Sequence, residues 1–207
     1  MQGVEQPPQF HPEGDVWTHT LIMLEALEKD CSPTLAVGVL LHDVGKPPTF
    51  RMAPDRIRFD GHMTVGARMA EEICRRLRFS QDQTSQISSL VENHLRFRDV
   101  PQMRESTLKR FLRLPKFDEH LELHRLDCLS SGRTLEDYDF FYAKMREFSE
   151  EAIRPKPLVT GDDLIRMGYE PGPRFKEILQ EVEDAQLEGQ IKLREEALQF
   201  VKERFPA

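Results

Sequence analysis

Apolar residues recur every three or four positions along most of the chain. "GDVWTHTLIMLEALEKD" sets Trp17, Leu21, Leu24 and Leu27 at helical spacing behind Asp15, a candidate N-cap. "SPTLAVGVLLHD" opens with a serine cap and a proline suited to a first helical turn. The same period runs through "GHMTVGARMAEEICRRLRF", "SQDQTSQISSLVENHLRF", "ESTLKRFLRL", "FDEHLELHRLDCLSSG" and "TLEDYDFFYAKMREFSEEA". The exception is "TFRMAPDRIRFDG", residues 49–61. Two short arms flank Ala-Pro-Asp there and Arg56–Phe59 alternates, which predicts a β-hairpin or an ordered loop. At "RPKPLVTGDD", residues 154–163, two prolines, Thr160 and Gly161 break the period. A short helix around Asp162–Met167, the loop "GYEPGPRF" and one or two helices to Phe205 follow. The expected fold is all-α: a helical bundle over 1–153 with a small β-hairpin near 49–60, then a helical C-terminal segment over 154–207.

One helix breaks its own pattern. "LLHDVGKPPTF", residues 40–50, ends an apolar run on adjacent polar side chains, His42 and Asp43. Neighbouring side chains on a helix point about 100° apart, so both face one point only where the helix ends or bends. Gly45 and the prolines at 47 and 48 supply that end. A histidine and an aspartate converging at a helix terminus suit a divalent cation. Other helices add candidates: His19 among apolar residues of the first, His62 opening the helix after the hairpin, and His94 near the end of the next. Asp127 lies next to Leu126, Cys128 and Leu129, a costly setting for a carboxylate without a partner or a metal. His11 reads as a loop residue. His120 and His124 share a helix face, and His124 precedes Asp127 by a turn.

Composition narrows the classes. The 207 residues are 39% hydrophobic and 31% charged with a net charge of −7, which suits a soluble globular protein and disfavours one that coats a nucleic-acid duplex. Basic clusters such as "RRLR" at 75–78 and "RFR" at 96–98 read either as solvated helix faces or as a local site for a phosphate-bearing ligand. The longest apolar run is too short to span a membrane and the N-terminus lacks signal-peptide character. Cys31, Cys74 and Cys128 have no CxxC pairing; with them as small core thiols, a reduced cytoplasmic compartment is expected.

The order His, His-Asp, His, His, Asp over Val16–Gly132 resembles the HD-domain superfamily of metal-dependent phosphohydrolases. The resemblance implies one metal held by His19, His42, Asp43 and Asp127. It implies a second held by His62 and His94, with Asp43 bridging. Imidazole and carboxylate ligands leave Fe, Mn, Ni, Co, Zn and Mg open. Two ions roughly 3.5–4 Å apart can activate water for in-line attack on phosphorus. Lys46, just beyond the pair, reads as a catalytic and phosphate-neutralising cation, with Arg96 and Arg98 as further phosphate-binding candidates. No general acid is evident.

"PPQFHPEGDVWTHTLIMLEAL", "LLHDVGKPPTF", "FDGHMTVGARMAEEI" and "LVTGDDLIRMGYEPGPRFKEIL" together resemble the C-terminal part of bacterial CCA-adding enzymes, the tRNA nucleotidyltransferase/poly(A) polymerase family. Residues 154–207 resemble the tail of those proteins. The family's catalytic head needs a strand with Gly-Ser and then an Asp-x-Asp pair. This chain has no Gly-Ser, and its Asp137-Tyr138-Asp139 lies in a helical stretch. Nucleotide addition is therefore not expected of this chain alone, and whether a head exists on a longer or separate chain stays open. The resemblance implies phosphodiesterase or phosphatase action on 2′,3′-cyclic nucleotides, 2′-phosphates or RNA phosphate ends, with tRNA as a candidate partner. The rival readings are a nucleotidase or dinucleoside polyphosphate hydrolase, and a non-catalytic tRNA-binding body with a structural metal site.

Overall fold

The structure, a computed structural model, describes residues 1–206, with Pro101 and Asp137 described by backbone alone. It is all-α apart from one two-stranded sheet. Helix α1 spans Val16–Glu25 and starts where Asp15 accepts a hydrogen bond from the Thr18 amide. Helix α2, Pro33–Leu41, is capped by Ser32, whose Oγ accepts from the Leu35 amide. After the short α3, Lys46–Thr49, strands β1 (Arg51–Met52) and β2 (Ile57–Arg58) pair antiparallel, with Arg51 opposite Arg58 and Met52 opposite Ile57. Helices α4 (His62–Arg76) and α5 (Gln81–Asn93) follow, the latter closed at its start by a capping box of Ser80 and Gln83. A 3-10 helix over Arg96–Gln102 leads on to α6, Glu105–Leu112, and α7, Phe117–Ser130. The chain ends with α8 (Glu136–Glu147), α9 (Glu150–Ile153), α10 (Gly161–Arg166), α11 (Pro173–Leu187) and α12 (Arg194–Arg204). Asp137-Tyr138-Asp139 opens α8, and the side chain of Asp137 lies outside the described residues.

The chain forms two compact units, Met1–Pro101 with Pro115–Ala143, and Gln102–Leu114 with Lys144–Ala207. The break read from sequence at 154–163 falls inside the second unit, which also takes in α6. Charge explains that membership. Arg110 pairs with Glu183 and Asp184, Arg113 with Glu183, and the Lys109 ammonium donates to the Leu187 carbonyl at 2.7 Å. The core of this unit gathers Leu164, Ile178, Val182, Ala197 and Val201 from α10, α11 and α12.

In the first unit α5 is central. Leu90 packs with Met23 of α1, Leu35 and Val39 of α2, and Leu123 and Leu126 of α7. Ile87 and Val91 pack with Leu41 of α2 and with Ala67, Ala70 and Cys74 of α4. Cys74 and Cys128 are buried small residues, and Cys31 is half-buried. Each fully buried aliphatic side chain contributes about 1.5–3 kcal/mol. A buried carboxylate ties α7 to the start of α2. Glu119 accepts from Ser32 Oγ at 2.7 Å, Thr34 Oγ1 at 2.8 Å and Gln86 Nε2 at 3.1 Å. Replacing Glu119 by alanine leaves those donors unanswered in a dry setting and should cost about 3 kcal/mol, read by chemical denaturation. A loss below about 0.5 kcal/mol would mean that water reaches these groups.

Candidate metal centre

Four imidazoles and two carboxylates from α1, the α2 terminus, α4, α5 and α7 meet inside the first unit. His19, His42, Asp43, His62, His94 and Asp127 are all buried. Three of the histidines stand at helix ends. His42 caps the C-terminus of α2, His94 caps that of α5, and His62 is the first residue of α4. The C-terminal turns of α2 and α5 have carbonyls to spare, and the Phe59 carbonyl lies just before α4. Each ring uses one three residues back. His42 Nδ1 donates to Val39 O at 2.8 Å, His62 Nδ1 to Phe59 O at 2.8 Å, and His94 Nδ1 to Val91 O at 2.7 Å. That bond fixes the tautomer and turns every Nε2 inward.

Asp43 divides its carboxylate between two sets. Oδ2 lies 3.1 Å from His42 Nε2 and 2.7 Å from Lys46 Nζ, while Oδ1 lies 3.6 Å from both His62 Nε2 and His94 Nε2. On the other side of His42, His19 Nε2 stands 3.2 Å from Asp127 Oδ1. A separation of 3.6 Å is too long for a hydrogen bond. It is a natural spacing for donors that share one cation at about 2 Å each. Two groups of three donors therefore lie side by side, His19 with His42 and Asp127, and Asp43 with His62 and His94.

The fit to a metal is tested by the polar atoms left over. His19 Nε2, His42 Nε2, His62 Nε2 and Asp43 Oδ1 are buried and have no hydrogen-bond partner. Such orphans are rare in folded proteins, and four in one cluster fit a set of donors that could hold a metal ion. The electrostatics agree. Burial pushes the Asp43 carboxyl up, but His42 and Lys46 hold it well below the usual carboxylate range. Burial opposes ionisation of Asp127 as well, and the adjacent His19 ring with the Arg133 charge overrides it. Burial disfavours a charged His94 and pushes it down to about 3, and it lowers His62 too, so both favour the neutral imidazole. Burial also acts against charge on His19, but the nearby Asp127 carboxylate and the Glu13 carboxylate raise it to about 9.

The centre opens on a cavity of about 390 Å³ lined by the N-terminal segment, the β-hairpin and the helix ends. Lys46 is only 6% exposed, and its ammonium also donates to Gln6 Oε1 at 2.6 Å and lies over the Phe59 ring. Arg98 lines the cavity with an exposed side chain. Arg96 is not part of that lining and donates to Asn93 Oδ1 at 3.1 Å. His124 stacks on Phe97 at 4.5 Å as a core aromatic. Several residues at the centre escaped the sequence reading. His11, in a loop as expected, is 8% exposed and packs edge-on against His19 at 4.9 Å. Glu13 bonds both rings, and Arg133 holds Asp127 Oδ2 at 2.5 Å. The sole sequence cue was the short spacing of His11, Glu13 and His19 around a helix cap.

Comparison with known proteins bears on this arrangement. The chain is 30% identical over 195 residues to the CC-adding tRNA nucleotidyltransferase of Thermus thermophilus, covering 89% of this chain and 44% of that protein. It is 30% identical over 213 residues to the A-adding tRNA nucleotidyltransferase of Deinococcus radiodurans, covering 97% of this chain and 49% of the relative. The Multifunctional CCA protein of Alkalilimnicola ehrlichii is 31% identical over 177 residues, 81% of this chain and 41% of the relative. The chain thus spans less than half the length of each of these relatives. Among the described residues no helix is long and apolar enough to cross a membrane. A model of the HD domain matches residues 16–152, a stretch that contains all six converging side chains, and the chain belongs to the HD domain family.

Proposed function

We propose that this chain is a metal-dependent phosphohydrolase that acts on the phosphates of nucleotides or RNA ends, with two divalent ions per chain. His19, His42, Asp43 and Asp127 would hold the first ion. His62, His94 and the shared Asp43 would hold the second. The observation that carries the reading is the split of Asp43, whose two oxygens face different imidazole sets while Nε2 of His19, His42 and His62 lack hydrogen-bond partners. When bound, divalent ions supply Lewis-acid charge to a phosphoryl group and make water a stronger nucleophile. The chain's own residues do the rest. Lys46 presents fixed positive charge beside Asp43, where a phosphate oxygen needs it. Arg98 offers a second cation at the cavity wall. Phe10 and Phe59 give that wall an apolar face against the remainder of the substrate. The similarity to tRNA nucleotidyltransferases makes an RNA end, tRNA included, a natural substrate or partner, with the second unit as the RNA-facing part.

The experiment is metal analysis of the purified protein, followed by phosphate release from 2′,3′-cyclic nucleotides, nucleoside 2′-, 3′- and 5′-phosphates and dinucleoside polyphosphates. Each is assayed with and without added Mn, Co, Ni and Mg. Metal-dependent turnover of at least one class is expected. Bound metal without turnover on any of them would overturn the hydrolase reading and leave a tRNA-binding body with a structural metal site. Lys46→Met keeps the apolar stem and removes the charge. It should leave metal content unchanged and lower kcat/KM by about 100-fold, because it removes charge stabilisation and no ligand. Unchanged turnover in that variant would remove Lys46 from the mechanism.

A further inference from the structure

Of the four imidazoles, His19 is held differently. It sits in the first turn of α1, where the carbonyl three residues back, Val16 O, already accepts from Thr20 Oγ1 at 2.8 Å. The backbone solution used by His42, His62 and His94 is taken. A side chain from outside the helix replaces it. Glu13 Oε1 lies 2.5 Å from His19 Nδ1, with Ser130 Oγ a further 3.3 Å contact of the same nitrogen. The same oxygen lies 2.9 Å from His11 Nδ1, and the Glu13 side chain is 7% exposed. Its second oxygen is buried without a partner. One desolvated carboxylate thus serves a ring of the metal cluster and a ring on the cavity wall.

We propose that Glu13 is a positioning residue of this centre: its carboxylate fixes His19 with Nε2 turned toward Asp127, and it holds His11 against the cavity. The proposal rests on the metal reading given above. A carboxylate is a stronger acceptor than the backbone carbonyls serving the other three rings, so it also makes His19 a more electron-rich ligand. Removing it should weaken the ion on the His19 side selectively. The ion on the His62 and His94 side should be spared. His11 uses the same carboxylate but is not in that ligand set, so its loss should leave both ions in place.

The test loads the full chain with cobalt(II) and reads two quantities. One is the affinity of each ion by chelator competition. The other is the proton spectrum, in which an imidazole bound through Nε2 keeps an exchangeable Nδ1 proton that the paramagnetic ion shifts far from the diamagnetic range. One such signal is expected for each of His19, His42, His62 and His94. In Glu13→Ala one of the four should vanish or move and one ion should bind about 10–100-fold more weakly, while the other three signals and the other ion stay as they were. Glu13→Gln keeps the shape and should give a smaller loss at the same ion, which guards against misfolding of the alanine variant. His11→Ala should leave all four signals. The proposal is overturned if Glu13→Gln and Glu13→Ala keep all four signals and both affinities within about twofold, since a second-sphere partner of a metal ligand changes affinity by more. It is overturned equally if both ions weaken together. If the unaltered chain takes up no cobalt at all, the metal reading itself fails, and this inference with it.

Discussion

Replacing Asp43 by alanine is expected to empty both ion positions and to lower phosphate release by at least about 1,000-fold. The reason is its place between the two donor sets, 3.1 Å from His42 through one oxygen and 3.6 Å from His62 and His94 through the other. His94→Ala removes one neutral ligand from one side only. It should leave His19, His42 and Asp127 with their ion, and high added metal should restore part of the activity. Asp43→Asn, which keeps the shape but loses the charge, should resemble Asp43→Ala in metal content. Bound metal and turnover measured together on the three variants decide the matter. Two retained ions with near-normal turnover in Asp43→Ala would refute the shared-ligand reading.

Gly45→Ala should be the most damaging single-methyl change in the first unit. A Cβ there would run into the His62 carbonyl, and it would stand 2.6 Å from the Gly66 amide nitrogen and 2.9 Å from Gly66 Cα. These are backbone atoms of α4 and cannot swing aside. The expected cost is about 3 kcal/mol or more, read as a lower melting temperature. Metal affinity should fall with it, because the contact sets the distance between the His42-Asp43 turn and His62. Gly66→Ala should be milder, since its nearest neighbours would be Val91 Cγ1 at 3.1 Å and the Gly45 amide nitrogen at 3.3 Å. A valine methyl can yield by a few tenths of an ångström. Equal losses in the two variants would show that crowding at the turn is not what fixes this approach.

Much of this was legible in the chain itself. Helical period, Ser-Pro and Asp caps, and the Ala-Pro-Asp turn are local signals, and they gave the helices and the hairpin at 51–58. The order of His and Asp along successive helices pointed to one cluster, because each stood in an apolar setting or at a helix end. What escaped was carried by residues without period or by contacts far apart in sequence. Gln6 reaches Lys46 across 40 positions, from a segment that looks like a polar leader into α1. His11 read as a loop residue and Glu13 was not singled out, because burial by a neighbouring helix has no local signature. Arg96 and Arg98 were equivalent on paper. The 3-10 helix after His94, of which the sequence reading took only the start as helix, sends them in different directions. The grouping of α6 with the C-terminal helices depends on Arg110 and Arg113 finding Glu183 and Asp184 some 70 residues on, which composition does not reveal.

The bonds from His42, His62 and His94 to carbonyls three residues back make those rings insensitive to the identity of the residue that supplies each carbonyl. Any amino acid at 39, 59 or 91 carries the same oxygen. In a saturation library Val39 and Val91, which are fully buried, should be filtered by packing alone, and Phe59 by its part in the cavity wall. A one-residue insertion in the last turn of α2 or α5 is a different kind of lesion. It rotates the terminal ring by about 100° and removes a ligand without changing any existing side chain. Variation that spares the centre should therefore consist of substitutions within these helices, with length changes confined to the loops between them.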